Sequence, residues 1–201
     1  KKITSDNYSV WIGDNSLSKL DVNAYSKVAI LVDENTKRDC LSKLPNFENS
    51  IIIEIQSGEG NKTISTCNLI WEELTRHKFD RNSVLINLGG GVIGDMGGFT
   101  AATYKRGIDF IQIPTSLLSM VDASIGGKTG INLSEGKNLV GSFWQPKMVI
   151  IDPDYLYTLP KREFTSAMGE IIKYGAILDI LKRQHPNIKG IKIIILKHLK
   201  Q

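Results

Sequence analysis

The chain has 201 residues, 41% of them hydrophobic and 23% charged, with a formal net charge of +4. That is an ordinary globular composition, long enough for one domain and part of another. No apolar run is long enough to span a bilayer and no N-terminal signal pattern is visible, so no membrane partner is expected.

The basic balance is local. Residues 182–201 hold Lys182, Arg183, Lys189, Lys192, Lys197 and Lys200 and no acid, which leaves residues 1–181 at −2 within the total of +4. Charge in a terminal run supports only non-specific contact with nucleic acid, and no nucleic-acid partner is expected. Cys40 and Cys67 stand in no metal or redox spacing. A cytoplasmic, reduced setting is the expectation.

In chain order, short Val- and Ile-rich runs at 28–32, 51–55, 84–88, 110–113 and 148–151 read as strands. Residues 8–11 read as an added edge strand. Ile64, Cys67, Trp71 and Leu74 recur at helical spacing, and residues 92–104 form a second helical pattern. Pro160 suits the first turn of a further helix, whose apolar face would be Phe164, Ala167, Ile171 and Tyr174. Glu170 and Lys173 lie three apart off that face. Apolar strands alternating with helices predict an α/β fold: a Rossmann-like, mostly parallel sheet flanked by helices.

The run 84–88 leads directly into Gly89, Gly90, Gly91, Val92, Ile93, Gly94 and Asp95, a G-x-G-x-x-G between strand and helix. Glycines let the backbone approach a pyrophosphate, and a helix N-terminus offers it free N–H groups. The plainer alternative is a strand-to-helix turn, for which one or two glycines suffice. For the ribose hydroxyls two candidates stand level: Asp109, at the expected distance, and the pair Asp33 and Asn35 after the first strong strand. The segment 114–146 alternates glycines, lysines and hydroxyls, as backbone wrapped around an anion would. Gly127, Lys128 and Thr129 are no Walker loop, because the position that needs glycine is Asp122.

Taken in order, Gly58 and Glu59 with Lys62, the glycine turn, Arg106 and Gly107, Thr115 and Ser116 with Asp122, and the stretch from Gly126 to Asn132 resemble the 3-dehydroquinate synthase family. So do Lys137 and Asn138 with Gln145 and Pro146, and Gly169 through Gly175. The resemblance covers about residues 28–178. It implies NAD, used and regenerated within one turnover, and a divalent metal, zinc or cobalt. It implies a seven-carbon keto-sugar acid phosphate, 3-deoxy-arabino-heptulosonate 7-phosphate, as the small-molecule substrate. Transient oxidation of a secondary alcohol would acidify the neighbouring C–H, phosphate would leave, and reduction and aldol closure would give 3-dehydroquinate.

Carried over position by position, the resemblance implies that Asp33, Asn35, Glu59 and Lys62 bind the adenosine end of NAD. Gly90, Gly91 and Val92, with Ile93 and Gly94 behind them, would wrap the pyrophosphate, and Asp95 would lie near the nicotinamide. Thr115 and Ser116 would donate hydroxyls, and Tyr155, Thr158 and Leu159 would line the adenine end. Lys128, Lys137 and Asn138 would reach the cofactor–substrate junction. Asp122 and Lys173 would meet the substrate, Glu170 would be a metal ligand, and Arg106 would reach the phosphate from the neighbouring subunit of a homodimer. Plainer readings stand beside these: Glu59 with Lys62 as a surface ion pair, Glu170 with Lys173 as a wet-face pair, and Arg106 as a helix C-terminal cation.

The family's second domain supplies two histidine metal ligands whose motifs do not occur in this sequence. The expected organisation is therefore an NAD-binding domain at 1–158 and, at 159–201, only the start of a helical domain with a basic tail. Such a chain is expected to bind NAD weakly and not to turn over alone. The alternatives are a related sugar-phosphate cyclase or metal-dependent polyol dehydrogenase, and a non-catalytic nucleotide-binding fragment.

Overall fold

The structure is a computed structural model that describes residues 1–4 and 8–169. Seven strands form the main sheet: β1 (Lys2–Thr4), β2 (Ser9–Ile12), β3 (Val28–Asp33), β4 (Ser50–Ile55), β5 (Val84–Gly89), β6 (Asp109–Pro114) and β9 (Met148–Ile151). Their order across the sheet is β1-β2-β9-β6-β5-β3-β4, and every pair but β1 with β2 is parallel. The helices are α1 (Glu34–Asp39), α2 (Ile64–Arg76), α3 (Gly91–Thr103) and a further helix over residues 161–169.

The strands read as continuous apolar runs because both sheet faces are covered. Val28, Ile30, Val32, Ile86 and Leu88 point into one layer, with Met120, Val121 and Tyr155. Ala29, Leu31, Leu85 and Phe110 point the other way, against Cys67, Ile70 and Leu74 of α2 and Met96 of α3. The α2 pattern is genuinely one-sided, with Cys67, Ile70 and Leu74 buried. Helix α3 is apolar nearly all round, since β5 and β6 lie beneath it and other chain lies above.

The strand expected at the sheet edge is internal. β2 runs between β1 and β9, and β1 takes the edge through antiparallel pairs such as Lys2 with Trp11. Two elements carry no clear sequence signal. One is α1, which is set by a capping box: Asp33 Oδ1 accepts from the Thr36 N–H at 2.8 Å, and Thr36 Oγ1 accepts from the Asp33 N–H at 3.0 Å. The other is an antiparallel hairpin of β7 (Lys128–Leu133) and β8 (Gly136–Phe143). It occupies about half of the segment that reads as a plain anion wrap, behind a π-helical turn at Ser119–Ala123.

Tyr155 lies in the core at 0% exposure, and among the described residues its hydroxyl has no hydrogen-bond partner. Burial pushes the phenol's pKa up. A buried hydroxyl without a partner forfeits its hydration, so Tyr155→Phe is expected to stabilise the chain by about 1 kcal/mol. Urea unfolding of the two proteins measures this, and a lower midpoint for the variant counts against it.

Candidate functional site

The chain turns at the switch point of the sheet. From β3 one crossover leads outward to β4, and from β5 the next leads outward the opposite way to β6, leaving a crevice past the C-terminal ends of β3 and β5. Asp33 ends β3 and Gly89 ends β5. Gly90 caps α3 with extended backbone, and no side chain caps the helix. The first N–H groups of α3 are therefore left to a ligand or water. Gly89 is required sterically, because a Cβ there would sit 2.6 Å from Ile93 Cβ.

A cavity of about 780 Å³ opens on these groups. Gly90, Gly91, Val92 and Ile93 line it, together with Asp33, Glu59, Ser116, Lys137 and Asn138. Gly94 turns inward instead, where its carbonyl accepts from Gln112 Nε2 at 3.0 Å. Thr115 is buried, with its N–H on the Gly89 carbonyl at 3.0 Å, and it fixes the turn from beneath.

A second cavity of about 490 Å³ lies under the hairpin, lined by Asp95, Asp122, Lys128, Asn138, Ser142 and Phe143 among others. The two cavities share Asp95, Ala123 and Asn138. Lys62 sits at this junction with 2% exposure. Its ammonium donates to Asp95 Oδ2 at 2.5 Å and to Asn138 Oδ1. Desolvation raises the Asp95 pKa above the ordinary carboxylate value, against the pull of Lys62, with Glu59 and Asp122 adding to the rise. Asn138 holds a left-handed φ of 56° within β8, a conformation that asparagine tolerates better than most residues.

Asp33, Glu59, Lys62, Gly90 to Ile93, Asp95, Ser116, Asp122, Lys128, Lys137 and Asn138 are thus brought together around two adjoining cavities. Other residues named from the sequence lie elsewhere. Asn35 is exposed on α1, where its side chain accepts from Arg38 at 3.4 Å. Tyr155 is in the core, Thr158 Oγ1 donates to the Tyr155 carbonyl at 2.7 Å, and Leu159 packs on the same core, so these three line neither cavity. Asp109, the alternative ribose partner, instead accepts from the Tyr25 hydroxyl at 3.0 Å.

Arg106 is exposed beyond α3 with φ 68° and also lies outside both cavities. Glu170 and Lys173 fall outside the described residues. Among the described residues, no group of three His, Cys, Asp or Glu could hold a metal ion. No helix among them is long and apolar enough to cross a membrane. Sequence reasoning missed Asn132, Ser142, Phe143 and the lining residues Glu163 and Ser166. The first three lie in a hairpin whose strands were not read, and the last two become lining only because helix 161–169 starts beside the larger cavity.

The model of the 3-dehydroquinate synthase N-terminal domain matches residues 52–166. A 3-dehydroquinate synthase of Sulfurovum sp. (strain NBC37-1) is 59% identical over 137 residues, which cover 68% of this chain and 38% of the relative. One of Alkaliphilus metalliredigens (strain QYMF) is 46% identical over 182 residues, 88% of this chain and 51% of the relative. The chain thus spans about half or less of the length of these curated relatives. Among solved structures, 2-deoxy-scyllo-inosose synthase complexed with carbaglucose-6-phosphate, NAD+ and Co2+ superposes with a TM-score of 0.76 at 27% identity, covering 86% of this chain and 51% of that one. The glycine turn and the lysine-bearing hairpin both fall within the matched residues, and this chain belongs to the 3-dehydroquinate synthase family.

Proposed function

We propose that the chain is the nucleotide-binding portion of a 3-dehydroquinate synthase, with NAD in the larger cavity and 3-deoxy-arabino-heptulosonate 7-phosphate in the smaller one. The observation that carries this reading is the junction: the two cavities meet at Asp95 and Asn138, with the Lys62 ammonium between them. A reaction that oxidises and later re-reduces one substrate carbon needs cofactor and substrate side by side. The similar 2-deoxy-scyllo-inosose synthase was solved with a sugar-phosphate analogue and NAD+ together, which supports the class of chemistry. The 59% and 46% identities to 3-dehydroquinate synthases support the particular substrate.

The uncapped N-terminus of α3 fits a dinucleotide: free N–H groups and the positive end of the helix dipole face a cavity large enough for it. When bound, NAD supplies a hydride acceptor and then a hydride donor. The remaining work falls to side chains of this chain. Gly90, Gly91 and Val92 hold the pyrophosphate, and Asp33 accepts from a ribose hydroxyl. Lys137 adds a cation at the rim. In the smaller cavity Lys128 meets the substrate's anionic groups as a point charge, and Asp122 and Asn138 orient its hydroxyls. Asp95 fixes Lys62 at the boundary, so that neither ligand can shift without the other meeting that pair.

Arg106, exposed and outside both cavities, acts on the substrate phosphate of a second subunit in a homodimer. The described residues supply no donor set for the zinc or cobalt of the family reading, so no step is assigned to a metal.

The test is calorimetric titration of the chain with NAD, beside Gly91→Asp. Aspartate in the first turn favours the helix itself, so a fold defect is not expected. Its charge against a pyrophosphate is expected to weaken NAD at least about thirtyfold. A wild-type chain that leaves NAD unbound, or a variant that binds it equally well, would overturn the assignment.

A further inference from the structure

Asn132 lies in neither cavity, yet it bonds to three segments that meet at their junction. Its Oδ1 accepts from the Asn138 N–H at 2.9 Å. Its Nδ2 donates to Glu59 Oε1 at 2.9 Å and also lies 3.3 Å from the Glu59 carbonyl oxygen. Its own N–H donates to the Lys62 carbonyl at 2.8 Å. One residue of β7 thus ties the turn Glu59–Asn61, the Lys62 backbone and the bend in β8 into one unit.

The bend matters because Asn138 is in a conformation that costs free energy. A non-glycine residue at φ 56° inside a strand persists only where its surroundings over-determine it. Two contacts do so: Asn132 Oδ1 takes the backbone N–H, and Lys62 Nζ takes the side-chain oxygen. The β7–β8 ladder also shifts register between Ile131 and Leu133, so Asn132 stands at the irregularity rather than in a regular pair. Without Asn132, Asn138 can relax toward ordinary strand geometry and draw its side chain away from Lys62.

We propose that Asn132 is a positioning residue for the cofactor–substrate junction. It acts through Asn138 and Glu59, and it holds Lys62 on Asp95. This rests on the NAD reading above, and the experiment separates the two. Amide hydrogen exchange at Asn138, read by NMR, reports the clamp without any ligand, and NAD titration reports its consequence. Asn132→Ala is expected to speed exchange at Asn138 about tenfold and to weaken NAD by a similar factor, the worth of about one hydrogen bond.

Asn132→Asp keeps the acceptor for Asn138 but sets a carboxylate against Glu59, and it too is expected to speed exchange. Adding Glu59→Gln restores the contact with donor and acceptor exchanged, and protection at Asn138 is expected to return to near the wild-type level. A residue that merely filled space would show no such rescue.

The proposal is overturned if Asn138 exchanges at the wild-type rate in Asn132→Ala, or if the double variant is no better than Asn132→Asp. It is also overturned if NAD affinity is unchanged in Asn132→Ala although exchange has risen. If wild type does not bind NAD while the exchange results hold, the cofactor assignment falls and the clamp stands. Should Asn132→Ala not fold, the aspartate pair decides alone.

Discussion

Lys62→Met is expected to destabilise the chain by about 2 kcal/mol at pH 7.5 and by much less near pH 4. Lys62 is nearly sealed from water, and Asp95 keeps only 22% of its side chain exposed. Methionine replaces the aliphatic stem but leaves the carboxylate without its ammonium. Burial and the nearby Glu59 and Asp122 already raise the Asp95 pKa, and in the variant the opposing pull of Lys62 is gone.

The sign follows from linkage. A carboxyl whose folded pKa is raised keeps its proton longer in the folded chain than in the unfolded one. Stability therefore falls as pH rises from the ordinary value of 3.8 through the folded value. Removing Lys62 widens that window, so the cost grows with pH. Adding Asp95→Asn removes the titrating group and is expected to recover most of the loss at pH 7.5. Urea unfolding at the two pH values measures it. A cost that is the same at both would show that the pair is not the cause.

Gly97→Ala is expected to cost about 2 kcal/mol, although alanine is the better helix former by about 1 kcal/mol. A Cβ on Gly97 would lie 2.0 Å from Asn87 Oδ1, so α3 rests on β5 at a distance that only glycine permits. Asn87 has 1% exposure and cannot swing away, and Gln112 beside it is held by the Gly94 carbonyl. The helix would have to lift, and its N-terminus lines the larger cavity.

Asn87 also carries both polar atoms of its side chain without partners among the described residues, so shortening it is cheap. Asn87→Ser is expected to cost little alone and to recover more than half of the Gly97→Ala loss, a coupling of at least about 1 kcal/mol. Denaturation midpoints of the four proteins test this. Strictly additive costs would place the strain elsewhere.

The parallel strands were legible because burial on both faces leaves unbroken Val and Ile runs, as in β5, where all six residues are buried. The hairpin was not legible, and the reason is steric. A Cβ on Gly141 would sit 2.1 Å from the Thr129 carbonyl oxygen, so glycine replaces a side chain where alternation would have shown. All but two residues of β8 are exposed, which removes the apolar half of the pattern as well.

At the site, the glycine turn could be read because its parts are contiguous. The Lys62 pairs could not, since its partners stand 33 and 76 residues away. The cofactor roles that the resemblance implies for Asn35 and Tyr155 have no counterpart in either cavity lining: Asn35 is exposed on α1 and Tyr155 is buried in the core.

The connection from β6 to β9 has a wider consequence. These strands are parallel neighbours, and the chain between them carries the π-helical turn and the hairpin where a crossover helix would ordinarily run. Everything that lines the smaller cavity apart from Asp95 belongs to that excursion. The larger cavity takes Asp33 and Gly90 to Ile93 from sheet ends and the helix after β5, where changes disturb the core, and shares Ser116, Lys137 and Asn138 with the excursion. The excursion leaves and rejoins the sheet at adjacent strands, so its exposed lining residues, such as Lys128 and Phe143, can change without moving the strands, whereas Met120, Val121 and Ile131 within it are part of the core.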